Sequence, residues 1–410
     1  MFFEFFGKRG GKMNIYGIVC EYNPFHNGHL YQIEKVKSLG ADATICIMSG
    51  NFVQRGDLAI MQKHARAEAA ILSGADIVLE LPLPFALSSA ESFAYGAVSI
   101  LEKLGVVTHL AFGSENENLD ELTEVARLLI SGELDSEINK KLELGISYAS
   151  AREAALSEKD ERLSEIIRTP NNILAVEYIK ALFCLNSTIK PVAIQRTGCD
   201  HDATEEVENI ASASHIRKLI SENKATEKLL PTASREIYER EVSHGHAPVS
   251  LSGASLSVIS ALKRLSAEDF KKYADVSEGL ENRLFDAISK SASLDDAMEL
   301  AKTKRYPLSR IRRIFMNAFL DIDASLSKSD IPYVKLLAFS ENGRSVLRKA
   351  RKTSQIEIVT KPAAVKNQSE TAKSLLALEK RADDIYSLFM KTPCEQGSSL
   401  KKSPVFISDK

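Results

Sequence analysis

The stretch GIVCEYNPFHNGHL, residues 17–30, decides how the rest of the chain is read. The apolar run that leads into it, NIYGIVC (14–20), predicts a buried strand, and Asn23-Pro24 predicts a turn. His26-Asn27-Gly28-His29 then opens a helix whose pattern continues to a stop at Gly40. A helix that starts at the end of a strand offers unpaired N–H groups and a positive dipole end to an anion. Gly28, with no side chain, lets a phosphate or a flat ring approach the backbone. Two imidazoles three residues apart fall on nearly the same helix face. They can donate hydrogen bonds to charge that builds on a phosphate during in-line displacement. The alternative is a structural one, with His26 as a helix cap and His29 as a partly buried polar group.

Working outward, the same alternation recurs. Strands are expected at ATICIMSG (43–50), DIVLELP (76–82), VTHLAFGS (107–114) and KPVAIQR (190–196). Helices are expected at 63–75, 88–105, 171–185 and 212–223, and a charged helical stretch at about 119–165. Short continuous apolar strands separated by helices predict βαβ units, hence an α/β, Rossmann-like, doubly wound parallel sheet. Past about residue 250 the period is helical almost throughout, with one extended run at QIEIVT (355–360). The expected organisation is an N-terminal extension (1–13), a catalytic domain (14–245), a mostly α-helical C-terminal domain (246–400) and a polar, frayed tail (401–410).

Composition narrows the classes. The chain has 410 residues, 44% hydrophobic and 26% charged, which excludes disorder. No apolar stretch is long enough for a bilayer span, so no membrane partner is expected. The first twelve residues, MFFEFFGKRGGK, put apolar before basic, the reverse of a secretory signal. Cys20, Cys46, Cys184, Cys199 and Cys394 show no CxxC spacing. That argues against a disulfide scaffold or a structural zinc site, and for a reducing cytoplasm. The histidines pair closely at 26/29 and again at 244/246. The net charge of −2 hides a division: residues 1–240 hold 25 basic and 34 acidic side chains, residues 241–410 hold 28 and 21. In KTKRYPLSRIRR (302–313) Lys302, Lys304, Arg305, Arg310, Arg312 and Arg313 occur with no acid, and NGRSVLRKARKTS (342–354) adds five more cations. A surface that tracks an RNA backbone is the expected use, against a solvated helix face.

Further motifs lie at the ends of the other strands. SGNFVQRGDLAIMQK (49–63) carries Gln54, Arg55, Asp57 and Lys63 between strand and helix, where substrate-positioning groups belong. Phe112-Gly113-Ser114-Glu115, Asn171-Asn172, Arg196 and the Ser212–Arg217 helix start complete the set.

Together, EYNPFHNGH, the run SGNFVQRGDLAIMQKHARAEAAILSGADIVLELP and PNNILAVEY resemble the bacterial tRNA(Met) cytidine acetate ligases, within the HxGH nucleotidyltransferase superfamily. The resemblance extends from about Asn14 to the C-terminus. It implies that His26 and His29 are catalytic. It implies an ATP site formed by Val19, Cys20, Glu21, Tyr22, Asn23, Pro24, Phe25, His26, Asn27, Gly28 and His29. Gly113, Asn171 or Asn172, Arg196, Thr197, Ser212, Ser214 and Arg217 would join them. The implied reaction acetylates the wobble cytidine of elongator tRNA(Met), using acetate and ATP, with Mg²⁺ accompanying the nucleotide. A small-molecule adenylyltransferase of the same fold and a non-catalytic RNA-binding protein remain open.

Overall fold

In β1 (Ile15–Cys20) alternate side chains enter different cores, as a strand's two-residue period requires. Ile15 joins one hydrophobic cluster, while Tyr16, Ile18 and Cys20 join another on the opposite face. β2 (Ala43–Ser49) divides the same way, with Ile45 and Ile47 on the first face and Cys46 and Met48 on the second. A sheet covered on both faces needs continuous apolar strands, which is why these segments lack a polar side. The computed structural model describes residues 13–116, 118–196, 209–277 and 279–408. Nearly all of the N-terminal extension (1–12), together with Thr197, lies outside the described residues.

A short hairpin, β3 (Phe52–Val53) and β4 (Asp57–Leu58), precedes β5 (Ile77–Leu81), β6 (His109–Ser114) and β7 (Lys190–Gln195). The parallel strands are ordered β5-β2-β1-β6-β7. The chain therefore winds outward from β1 through β2 to β5, then crosses to the other side for β6 and β7. The Rossmann-like α/β class expected from the sequence is what forms. The helices Asn27–Ser38 and Lys63–Leu72 cover one face, Ala90–Leu104 and Pro170–Cys184 the other.

A second core gathers the helices Leu251–Leu262, Leu280–Lys290, Leu294–Ala301 and Leu308–Leu320. It also takes in Phe52, Leu58, Leu83 and Leu87, which follow the carboxyl ends of β2 and β5. The chain then returns to the sheet. β8 (Tyr333–Ser340) pairs antiparallel with β5, and β9 (Glu357–Val359) and β10 (Val405–Ile407) pair in parallel with β8. β9 lies within the expected extended run, but β8 and β10 were missed. YVKLLAFS reads as one more helical segment because Lys335 interrupts its apolar run. The tail was expected to fray, yet its apolar Val-Phe-Ile finds an open strand edge, with the rings of Phe406 and Phe339 centred 5.1 Å apart. Among the described residues no helix is long and apolar enough to cross a membrane.

Lys335 is buried because a cluster of ions surrounds it. It lies 2.8 Å from Glu80 and 3.0 Å from Glu379. Lys63 lies 2.8 Å from Glu80 and 2.7 Å from Asp383. Burial alone would raise the Glu80 carboxyl, but Lys335 and Lys63 override it and hold it at about 2. The cluster joins β5, β8 and the helix Glu370–Ser387. Lys335→Met takes the cation from Glu379 and leaves Glu80 with Lys63 alone, and should lower the unfolding free energy by about 3–5 kcal/mol in urea titration. The exposed Lys304→Met should change it by less than about 0.5 kcal/mol. Equal effects of the two would show that the ion cluster contributes nothing.

Candidate functional site

Between β1 and β6 the winding direction reverses, which is the point, at the carboxyl ends of the strands, where an open α/β sheet forms its ligand crevice. His26 caps the helix Asn27–Ser38 at this point. Its Nδ1 accepts from the N–H of Gly28 at 3.1 Å, and His29 Nδ1 accepts from the N–H of His26 at 3.2 Å. The two rings stack with centroids 3.7 Å apart. A side chain on Gly28 would meet the His26 ring at 3.0 Å, so the stack needs that glycine. Because each Nδ1 accepts, each neutral ring carries its proton on Nε2. The structural and chemical readings of the pair are thus compatible: the caps themselves set the tautomers.

Tyr22 and Phe25 wall the His29 ring, with centroids 4.9 and 5.6 Å from it. Burial first, then His26 and Arg196, push the His29 imidazole well below its ordinary 6.5. Tyr22 itself is buried in the left-handed region, at φ 47, a strained conformation for an aromatic residue. Asn23 Oδ1 accepts from Ile60 N–H at 2.7 Å, while its Nδ2 is buried without a hydrogen-bond partner.

Distant segments converge on this turn. Arg217 donates to the carbonyl of Asn23 at 2.8 Å, which brings the helix Ala213–Ser221 to the site. Ser212 caps that helix, and its Oγ lies 3.0 Å from that of Ser214. Asn27 donates to the carbonyls of Asn209 and Lys228, and Ser234 to that of Phe25. Across the crevice, the Arg196 side chain lies over Gly113, where an added Cβ would meet it at 3.3 Å. Asn172 Oδ1 accepts from Ser114 Oγ at 2.6 Å and from the N–H groups of Glu115 and Asn116. Asn171 donates to Glu115. Both amides therefore hold the turn that follows Gly113.

The loop 49–63 reaches the same mouth. Gln54 N–H donates to Glu21 Oε1 at 2.9 Å, and its side chain to the Ser88 carbonyl at 3.0 Å. Asp57 begins β4, and Arg55 is half-buried in the hairpin turn. Lys63 points away, into the ion cluster. Arg66 was missed from the sequence. It is fully buried and donates to the carbonyls of Glu21, Ser49, Gly50 and Met61. Its only signal is an arginine in the alanine-rich, apolar helix KHARAEAAIL.

The helix Leu308–Leu320 packs on that loop: a Cβ on Gly56, at φ 75, would meet the backbone of Arg312 and Arg313 at 2.7–2.8 Å. Asp275, remote in sequence, answers the basic stretch. It accepts from Arg313 through its carboxylate and from Arg310 through its carbonyl. Tyr306 is buried against Arg310. Lys302 and Lys304 are exposed, and Arg305 half-buried. The other basic segment, in the helix Glu341–Thr353, sits at the opposite end of the strands. There Asn342 donates to Asp42 and Asp76, which precede β2 and β5.

Known proteins resemble this chain along most of its length. The HIGH Nucleotidyl Transferase family pattern matches residues 13–401. A tRNA(Met) cytidine acetate ligase of Thermoanaerobacter sp. (strain X514) is 41% identical over 388 residues, 92% of this chain and 96% of that protein. The chain belongs to this ligase family. A Clostridium kluyveri tRNA(Met) cytidine acetate ligase is 40% identical over 396 residues, 92% of this chain and 96% of its own length. Apo Thermotoga maritima TmcAL superposes with a TM-score of 0.92 at 34% identity, covering 97% of this chain and all of that one. The same protein bound with alpha-thio ATP gives 0.89 at 33% identity, with the same coverage.

The depressed His29 value has a measurable consequence. By NMR titration, His29 should stay neutral as pH falls through 6.5. Alpha-thio ATP should move the His29 midpoint upward, because a nearby polyanion favours the imidazolium. A normal midpoint that ignores the nucleotide would separate His29 from the phosphates.

Proposed function

We propose that this chain acetylates the wobble cytidine of elongator tRNA(Met) to N4-acetylcytidine in two steps at the β1/β6 crevice, using ATP and acetate. In the first, an acetate oxygen attacks the α-phosphorus, the bond to the β-phosphate oxygen breaks, and pyrophosphate leaves acetyl-adenylate behind. In the second, the cytidine N4 amine attacks the acetyl carbon, AMP departs with the anhydride oxygen, and N4 releases a proton. The observation that carries this reading is the stacked His26/His29 pair, whose Nε2–H groups sit at a helix N-terminus with Arg196 and Gly113 across the crevice. Two neutral donors and a helix dipole stabilise charge that grows on the α-phosphate, without a proton transfer.

Two further features favour an adenylate over a covalent enzyme intermediate. A carboxylate is a poor acyl donor, and adenylation supplies the leaving group. The one cysteine at the end of β1, Cys20, is buried, and burial raises its thiol well above 9.0, so it is no thiolate at neutral pH. The unpartnered Asn23 Nδ2 is a donor awaiting a ligand atom. ATP would enter with Mg²⁺ held by its phosphates and water. The carboxylates bordering the site, Glu21 and Glu115, are both engaged by protein donors, so the residues here offer the ion no cage. The free cysteines Cys20, Cys46, Cys184 and Cys394 accord with a cytoplasmic setting.

For tRNA, the basic stretch 302–313 lies on the site's side of the sheet through Gly56, and the helix 341–353 does not. Lys302, Lys304 and Arg305 are the cations to contact phosphates, with Arg310, Arg312 and Arg313 shaping the surface under them.

Pyrophosphate exchange into ATP should require acetate and fall by about 10²–10³-fold in His29→Ala. Exchange driven by a phosphorylated small molecule, with acetate inert, would favour an adenylyltransferase of the same fold. Replacing Lys302 and Lys304 by Gln should weaken tRNA binding and flatten its log–log salt slope by about 1.5–2. An unchanged slope would remove this stretch from the RNA surface.

A further inference from the structure

Away from the crevice, on the face covered by the helix Lys63–Leu72, lies a cavity of about 510 Å³. Its wall includes Glu241, His244 and His246, and the ligand atoms of these three lie within 4.8 Å of one another. We propose that they form a binding site for one divalent transition-metal ion of the zinc type.

The local chain makes the cluster. The helix Thr232–Ser243 ends in a reversal at Gly245, φ 76, where Gly245 N–H donates to Val242 and His246 N–H to Glu241 at 2.8 Å. The reversal folds His246 back beside Glu241, so that its Nδ1 lies 3.3 Å from Glu241 Oε2. Zinc bonds of about 2.0–2.1 Å at tetrahedral angles hold ligand atoms about 3.3 Å apart. The pair thus already has the spacing that the ion requires. His244, two residues earlier, is exposed and free to swing onto the same point, its ring 5.8 Å from that of His246.

The surroundings hold the ligands in place. Arg240 grips Glu68 with both ends of its guanidinium at 2.8 Å and reaches Glu241 Oε1 at 3.0 Å. That bond turns the other carboxylate oxygen toward His246, as an outer-shell partner does. Thr392 N–H donates to the Gly245 carbonyl at 3.0 Å, and a Cβ on Gly245 would strike Thr392 Oγ1. The turn is therefore locked onto the C-terminal segment before any ion arrives. Two imidazoles and one carboxylate select Zn²⁺, Co²⁺ or Ni²⁺ over Mg²⁺ and Ca²⁺, and leave a fourth position open to the cavity. Cysteine spacing gave no hint of this site, because its ligands are not cysteines. None of the three belongs to the crevice, so the inference stands apart from the acetylation reading.

The test uses untagged, full-length protein stripped by a chelator and titrated with Co²⁺, read by visible absorption, and with Zn²⁺, read by calorimetry. One equivalent per chain should bind, with the strong visible bands of four-coordinate cobalt. A thousandfold excess of Mg²⁺ should not displace it. His244→Ala and His246→Ala should each weaken binding at least tenfold. His244 is exposed, so its variant should keep the metal-free melting temperature while losing the upward shift that Zn²⁺ gives the wild type. Absence of binding at micromolar metal would overturn the site. So would displacement by Mg²⁺, or affinity unchanged in both histidine variants and lost only in Cys394→Ser.

Discussion

Arg66 is fully buried, and its guanidinium donates to the carbonyls of Glu21, Ser49, Gly50 and Met61. These carbonyls lie just past the carboxyl ends of β1 and β2 and at the far end of the loop that joins β2 to the next helix. Where strands stop, their last carbonyls lose ladder partners, and leaving one buried and unmet costs about 1–3 kcal/mol. One planar cation with five donors meets four of them and fixes their relative positions. Everything at the mouth of the sheet is referred to that arrangement. Glu21 is held where it can take Gln54, the loop is closed over the strand ends, and the turn Tyr22–Phe25 leaves β1 in a set direction.

From that turn the histidine pair follows as a backbone effect. Both imidazoles spend one nitrogen on the first turn of the helix they introduce, so capping and chemistry use opposite sides of the same rings. Burial against Tyr22 and Phe25 keeps His29 neutral, which makes it a hydrogen-bond donor through Nε2 and not a fixed cation. The strain in Tyr22 is compensated by its contacts: Phe25 and His29 edge-on, and Cys46 Sγ 3.4 Å from its hydroxyl.

The second core is coupled to this mouth by two different forces. Leu83, Leu87, Phe52 and Leu58 carry apolar contact from the strand ends into the helices past residue 250. The Lys63–Glu80–Lys335–Glu379 cluster, with Asp383, adds a buried ionic seam between β5, β8 and a helix near the C-terminus. Such a seam is costly to break from one side and favours one register of the docked parts.

Much of this was legible in the residues. The five parallel strands and their helices follow from apolar runs and helical period, because both faces of the sheet are buried and the pattern has no polar side to blur it. The HNGH turn is legible too, since capping, glycine and the strand end coincide within four residues. β8 was not legible: periodicity cannot tell a short apolar run from a helix when a paired lysine sits inside it. Nor was the role of Asn171 and Asn172, which depends on a turn some 55 residues away. The sequence by itself determined the five parallel strands, their doubly wound class and the HNGH turn at the end of β1, all consequences of local pattern. Only the tertiary structure decided which charges are available: Lys63 went into the core, Arg310 and Arg313 went to Asp275, and the second basic helix went to the far end of the strands. Charge acts through distance and burial, and neither is a property of neighbours along the chain.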